Sequence, residues 1–191
     1  YAPAITLDPE NKDVTSREGG GLWRLRFKDI NDPLKGATVE LLLDGSEWVY
    51  MNKPDNIAID SLGHILIQED PGGNDQVARV FAYDIKTQKL AVIAKFKDAF
   101  FKKDAPAATK ITNDEESSGV IDVTSMYRKS TADKSSYYML NAQIHADIAK
   151  SRPDLSAAEV ASLNKAIEGG QIYLLTIPAW SAITFKSVSY T

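Results

Sequence analysis

The chain has 191 residues, 43% hydrophobic and 25% charged, the make-up of an ordinary soluble domain long enough to bury a core. A net charge of −4 offers no basic field for nucleic acid or an anionic membrane surface. Cysteine is absent, which excludes disulfides, thiolate metal ligands and a cysteine nucleophile from this chain. No apolar run approaches the ~20 residues of a membrane-spanning helix. The opening YAPAITLDPENK is polar and unlike a signal peptide, and a start at Tyr1 is what a processed chain would show.

Residues 1–20 read as a loop that includes the flexible run SREGGG. Residues 22–27 (LWRLRF) alternate, with Leu25 and Phe27 on the face opposite Arg24 and Arg26. A turn at Asn31-Asp32-Pro33 leads to a second strand over 38–43, closed by Asp44-Gly45. Residues 56–60 and 64–68 flank the turn Ser61-Leu62-Gly63, and 79–84 and 89–94 flank Lys86-Thr87-Gln88; both pairs predict hairpins.

The same order then recurs, with strands predicted at 119–123, 137–141, 171–176 and 182–185. GGGLWRLRF, QVARVFAYDI and EGGQIYLLTI align by eye. Repeats of four short antiparallel strands read as propeller blades. The expected fold is all-β: a partial β-propeller of about two and a half four-stranded blades, with one inserted helix. Residues 22–45 give a half blade, 56–96 a blade, and 119–187 a blade carrying the helix. That helix, over 156–168, opens with a capping box, Ser156 to Glu159. Leu155 can staple to Val160; Val160, Leu163 and Ile167 share a face; Gly169-Gly170 ends it. Its plainest reading is structural decoration. Closed propellers need about 4–8 blades, so a missing N-terminal part or a complementary chain is the expected partner.

In such a blade the start of the first strand and the end of the second share one edge. That rule collects Asp55 and Asn56, Glu69 and Asp70, Asp114, Glu115 and Glu116, and Asn141, Gln143 and His145 on one face. Crowded carboxylates raise one another's pKa, and a bound cation relieves the repulsion. Oxygen ligands favour calcium, then magnesium; His145 would widen the choice to a transition metal. The competing reading is solvated turn residues, which suits Asp60, Asp75 and Asp84 best. His64 carries no evident role. Nucleophile elbows, phosphate loops and dinucleotide fingerprints are missing, and the dispersed Trp23, Trp48 and Trp180 read as core.

KPDNIAIDSLGHILIQED (53–70), NDEESSGVIDV (113–123), YYMLNAQIH (137–145) and EGGQIYLLTIP (168–178) together resemble the C-terminal part of the PhoX-like alkaline phosphatases and their phytase-like relatives. The resemblance spans roughly 19–178. It implies a bacterial propeller, secreted or periplasmic, with a calcium and iron site at one end, hydrolysing phosphate monoesters. Glu69 and Glu116 carry over as the leading metal ligands. With no cysteine here, a thiolate iron ligand would come from the missing part, and matching phosphate-binding arginines are not evident. The resulting hypotheses are a metal-dependent phosphoesterase, a non-catalytic calcium-stabilised binding module, and a lactonase- or esterase-like propeller with a single calcium. Beside the acidic face only Lys53 and Lys110 stand near in sequence to tell them apart.

Overall fold

In a computed structural model of the chain, residues 20–45, 47–72, 76–146, 154–163 and 168–188 are described. The expected 1–20 loop, Asp75 and the predicted helix beyond Leu163 therefore lie mostly or wholly outside the described residues. The fold is mostly β and antiparallel throughout. Strands β1 (Leu22–Phe27) and β2 (Ala37–Leu43) form a hairpin. Strands β3 (Pro54–Ile59), β4 (His64–Glu69), β5 (Arg79–Asp84) and β6 (Lys89–Lys95) follow one another across a second sheet. Strands β7 (Glu115–Asp122), β8 (Ser136–His145) and β9 (Glu168–Ile177) form a third. Among the described residues these sheets do not close into a ring.

Period-two alternation explains why β4 is buried along its whole length. Ile65 and Ile67 face the β1–β2 hairpin, joining Leu22, Leu43, Met51, Phe81 and Tyr83 in one core. Leu66 faces the third sheet, with Val80, Val120, Tyr138 and Ile177 in another. The second sheet is thus covered on both faces, so HILIQE cannot be sorted into an inner and an outer side. Only the base of the first hairpin packs down. Its face carrying Trp23, Leu25, Phe27 and Val39 is exposed.

The turns follow their carboxylates. Asp60 Oδ1 accepts from the Leu62 and His64 N–H groups at 2.9 and 2.8 Å, and Gly63 takes the φ of +94° that the β3–β4 turn demands. Asp84 accepts from the Lys86 N–H at 2.8 Å and the Thr87 hydroxyl at 2.7 Å in the β5–β6 turn.

Three sequence expectations need correction. The strand predicted at 182–185 does not form: Trp180–Ala182 is a 3-10 turn, and a short β10 (Lys186–Ser187) crosses back to pair with β6. Trp180 sets this path, because its ring stacks on His64 at 3.8 Å and its indole N–H reaches Ser136 Oγ at 3.0 Å. Strand β7 begins at Glu115 and β8 runs to His145, so Glu115, Glu116, Asn141, Gln143 and His145 lie within strands rather than in loops beside them. A bulge at Gly119 (φ +57°) between Ser118 and Ile121 absorbs the longer β7. Finally, two short helices form where the sequence carries no helical pattern, α1 (Asp98–Phe101) and α2 (Thr124–Tyr127). The capped helix α3 (Ala157–Leu163) is present, and Glu159 accepts from both the Ser156 N–H (2.8 Å) and its hydroxyl (2.6 Å).

Candidate functional site: an acidic edge

Register brings the acidic segments to one edge. Pro54 pairs with Glu69 and Glu115 with Ile144, so the start of β3, the end of β4, the start of β7 and the end of β8 lie at the same end of their sheets. Strands β3 and β4 lie against β7, which joins the two pairs side by side.

The six sequence candidates divide into two sets. Glu69 and Glu115 are buried and engaged in the scaffold. Glu69 accepts from Arg79 Nη2 at 2.6 Å, from Arg79 Nε at 2.8 Å and from the Asn52 N–H at 2.7 Å. Burial pushes its pKa up from the ordinary carboxylate value, against the pull of Arg79 and Asn52. Glu115 Oε1 accepts from the Ala78 N–H at 2.9 Å. Burial, with the Asp114 charge adding to it, pushes Glu115 up to about 7 against that bond.

Asp55, Asp70, Glu116 and His145 form the other set. Burial pushes Glu116 up to about 7, and Asp70 and Asp55 push in the same direction while His145 opposes them. His145 Nε2 stands 4.0 Å from Glu116 Oε2, the two side chains being 27% and 13% exposed. The β8 end is held by the His145 N–H on the Asp114 carbonyl at 2.9 Å and the Thr112 hydroxyl on the His145 carbonyl at 2.6 Å.

Lys53, only near in sequence to the acidic segments, is brought into this edge by the fold. The space beside Gly72 is bounded by Asp70 Oδ1, Asp114 Oδ1 and Lys53 Nζ, which lie 3.6, 3.6 and 3.8 Å from where a Cβ on Gly72 would sit. Lys53 adopts φ +43°, an uncommon left-handed conformation for a residue with a side chain, and its carbonyl accepts from the Asp70 N–H at 3.0 Å. Arg79 also reaches this end of the sheet, but its guanidinium is held by Glu69 and the Tyr50 carbonyl. No local sequence pattern marks that pairing.

The oxygen-rich set Asp55, Asp70 and Glu116 suits a hard divalent cation, and the mutual push on Glu116 is the repulsion such an ion would relieve. Both Glu69 oxygens already accept from Arg79 or Asn52 and Glu115 Oε1 from Ala78, so Glu69 would ligate an ion only by giving up scaffold bonds. As the side chains stand, no three His, Asp or Glu residues among those described are grouped to hold a metal ion.

A second polar cluster lies at the other end of the β3–β4 hairpin. Asp60 Oδ2 receives the Tyr138 hydroxyl at 2.7 Å and stands 2.9 Å from His64 Nδ1. Burial pushes the Asp60 carboxyl up, but the His64 N–H, the Tyr138 hydroxyl and the His64 ring outweigh it and hold the pKa below the ordinary value. His64, without an evident role in the sequence, ties three elements together. Compared with protein-family models, curated proteins and solved structures, the chain shows no match.

Proposed function

We propose that this chain is the later part of a β-propeller whose acidic edge holds a divalent cation, calcium first, and that the assembled protein hydrolyses phosphate monoesters. The observation that carries this reading is the meeting of Asp55, Asp70 and Glu116 at one edge that also holds His145 and Lys53, where burial first, and then Asp70 and Asp55, push the Glu116 pKa up. A propeller is supported by the four-stranded meander β3 to β6 and by the inner strands of two successive sheets meeting along β7. The uncovered apolar face of the first hairpin suits a further blade, supplied by a missing N-terminal part or a complementary chain.

In this reading Asp55, Asp70 and Glu116 hold the cation and His145 steadies Glu116. Bound there, the ion would supply positive charge for phosphoryl oxygens. Lys53 Nζ offers a second positive group to the phosphate. Glu69 and Glu115 position the edge: the first locks Arg79 across the β4–β5 pair, and the second fixes the Ala78 backbone to β7. An iron ion remains part of the family expectation, and its thiolate ligand would have to come from outside this chain. The same expectation makes the protein exported, in the periplasm or outside the cell.

Elemental mass spectrometry of the purified protein tests the cation, and calcium-dependent hydrolysis of p-nitrophenyl phosphate tests the chemistry. Calcium bound without hydrolysis, in the presence of any co-purifying partner, would favour the binding-module alternative. Absence of metal, together with a melting temperature indifferent to chelator, would sink both.

A further inference from the structure

The second and third sheets meet at their inner strands, where β3 and β4 touch β7. They part toward β6 and β9, leaving a cleft of about 400 Å³. One wall is Val80 and Ala94; the other is Leu140, Ala142 and Leu175. These positions face one another because Val80 pairs with Ala94 on one sheet, while Leu140 and Leu175 lie on the inward face of the other. The volume falls within the ~300–1,000 Å³ of small-molecule sites, and the lining is mainly apolar, as such sites are.

The mouth has a different chemistry. The segment that leaves β6, residues 95–110 (KFKDAFFKKDAPAATK), carries five lysines against two aspartates in a chain of net charge −4. Phe96 and Phe101 meet edge to face at 5.1 Å and line the cleft. Lys95 and Lys97 line it too. Lys97 Nζ sits 4.7 Å from the Phe100 ring, beside the end of the apolar walls, whereas Lys95 pairs with Arg79 on the opposite face of β6 and is tied to Asp98 at 3.0 Å.

The geometry points to a binding site for a small amphipathic anion, its apolar chain between the sheets and its head group at Lys97. This site is separate from the acidic edge and does not depend on the phosphoesterase reading. Burial of the chain supplies affinity, about fourfold per methylene. Lys97, in a segment with more lysines than aspartates, chooses an anionic head over a neutral or cationic one. Carboxylate and phosphate heads satisfy the same chemistry.

The test is calorimetric titration of the full chain, in chelator so that the acidic edge takes no part. Decanoate, decyl phosphate, decanol and decyltrimethylammonium are compared below their aggregation concentrations. Saturable one-to-one binding is expected for both anions, at least tenfold tighter than for decanol, with octanoate about 15-fold weaker than decanoate. Decyl phosphate binding more tightly than decanoate would assign a phosphate head; equal binding would assign any anion, and both outcomes uphold the site. Lys97→Glu should weaken both anions at least fivefold and leave decanol unchanged, while Lys86→Glu, the same charge change at the β5–β6 turn, should alter nothing. Ala94→Phe should abolish binding by filling the cleft; if that variant does not fold, the two lysine variants decide. No saturable binding, decanol as tight as the anions, or indifference to Lys97→Glu would overturn the proposal.

Discussion

Replacing Glu116 with glutamine isolates the electrostatic strain of the acidic edge. The folded-state pKa of Glu116 is about 7 against an ordinary 4.5, raised by burial and by Asp70 and Asp55. Folding therefore gains from the neutral form below pH 4.5, and that contribution is lost as pH rises through 7. At somewhat over 1 kcal/mol per pH unit, the upper limit of the loss is roughly 3 kcal/mol. Solvent still reaches this edge and screens its charges, so a gain of about 1–2 kcal/mol is expected for Glu116→Gln at pH 8. In a chain of this size that raises the melting temperature by about 2–8 °C. Thermal melts followed by circular dichroism, in chelator, should show the gain at pH 8 and almost none at pH 5. Calcium should reverse the order. A ligand that binds only the folded state adds about 2.7 kcal/mol at a hundredfold excess over its Kd, and the variant would forfeit much of it. A variant less stable than the parent at pH 8 in chelator, or equally stabilised at both pH values, would refute the argument.

Glu69→Gln should cost about 3–5 kcal/mol in urea unfolding, in chelator as much as in calcium, because it strands Arg79 in a largely buried pair; a loss seen only with calcium would make Glu69 a ligand after all. Tyr138→Phe should cost about 1–2 kcal/mol by removing the hydroxyl that Asp60 accepts, and denaturant melts at pH 7 measure it. Gly119→Ala should destabilise by more than about 1 kcal/mol in the same assay, since an added Cβ would sit 2.5 Å from Asn141 Oδ1 at a φ of +57°.

Both hairpins of the second sheet were legible because their signals are local. Alternation, a four-residue turn and an Asp that caps it sit within about a dozen residues of one another. The capping box of α3 was legible for the same reason. The path after Ile177 was not, because the apolar Ile183 and Phe185 look like a strand until Trp180 finds His64, a contact that spans more than a hundred positions. The shared edge could be inferred from strand order alone. What strand order could not supply is which carboxylates are already engaged: Glu69 and Glu116 look alike in sequence, yet one holds Arg79 and the other confronts Asp70. The placement of Lys53 beside Gly72 was hidden likewise, because it depends on a backbone turn with no sequence signature.

The return of β10 to β6 bears on how the molecule comes into being. Lys186 pairs with Leu90, so the second sheet cannot be finished until the whole of the third has been synthesised. Ribosomes extend chains at about 5–20 residues per second, so the outer edge of β6 waits several seconds for its last neighbour. Pairing across so long a stretch of sequence is also slow to find, because the intervening loop must close first. During that wait the apolar walls beside β6 are accessible to other chains as well as to their own. A newly made copy is thus most prone to association just before its final strand arrives.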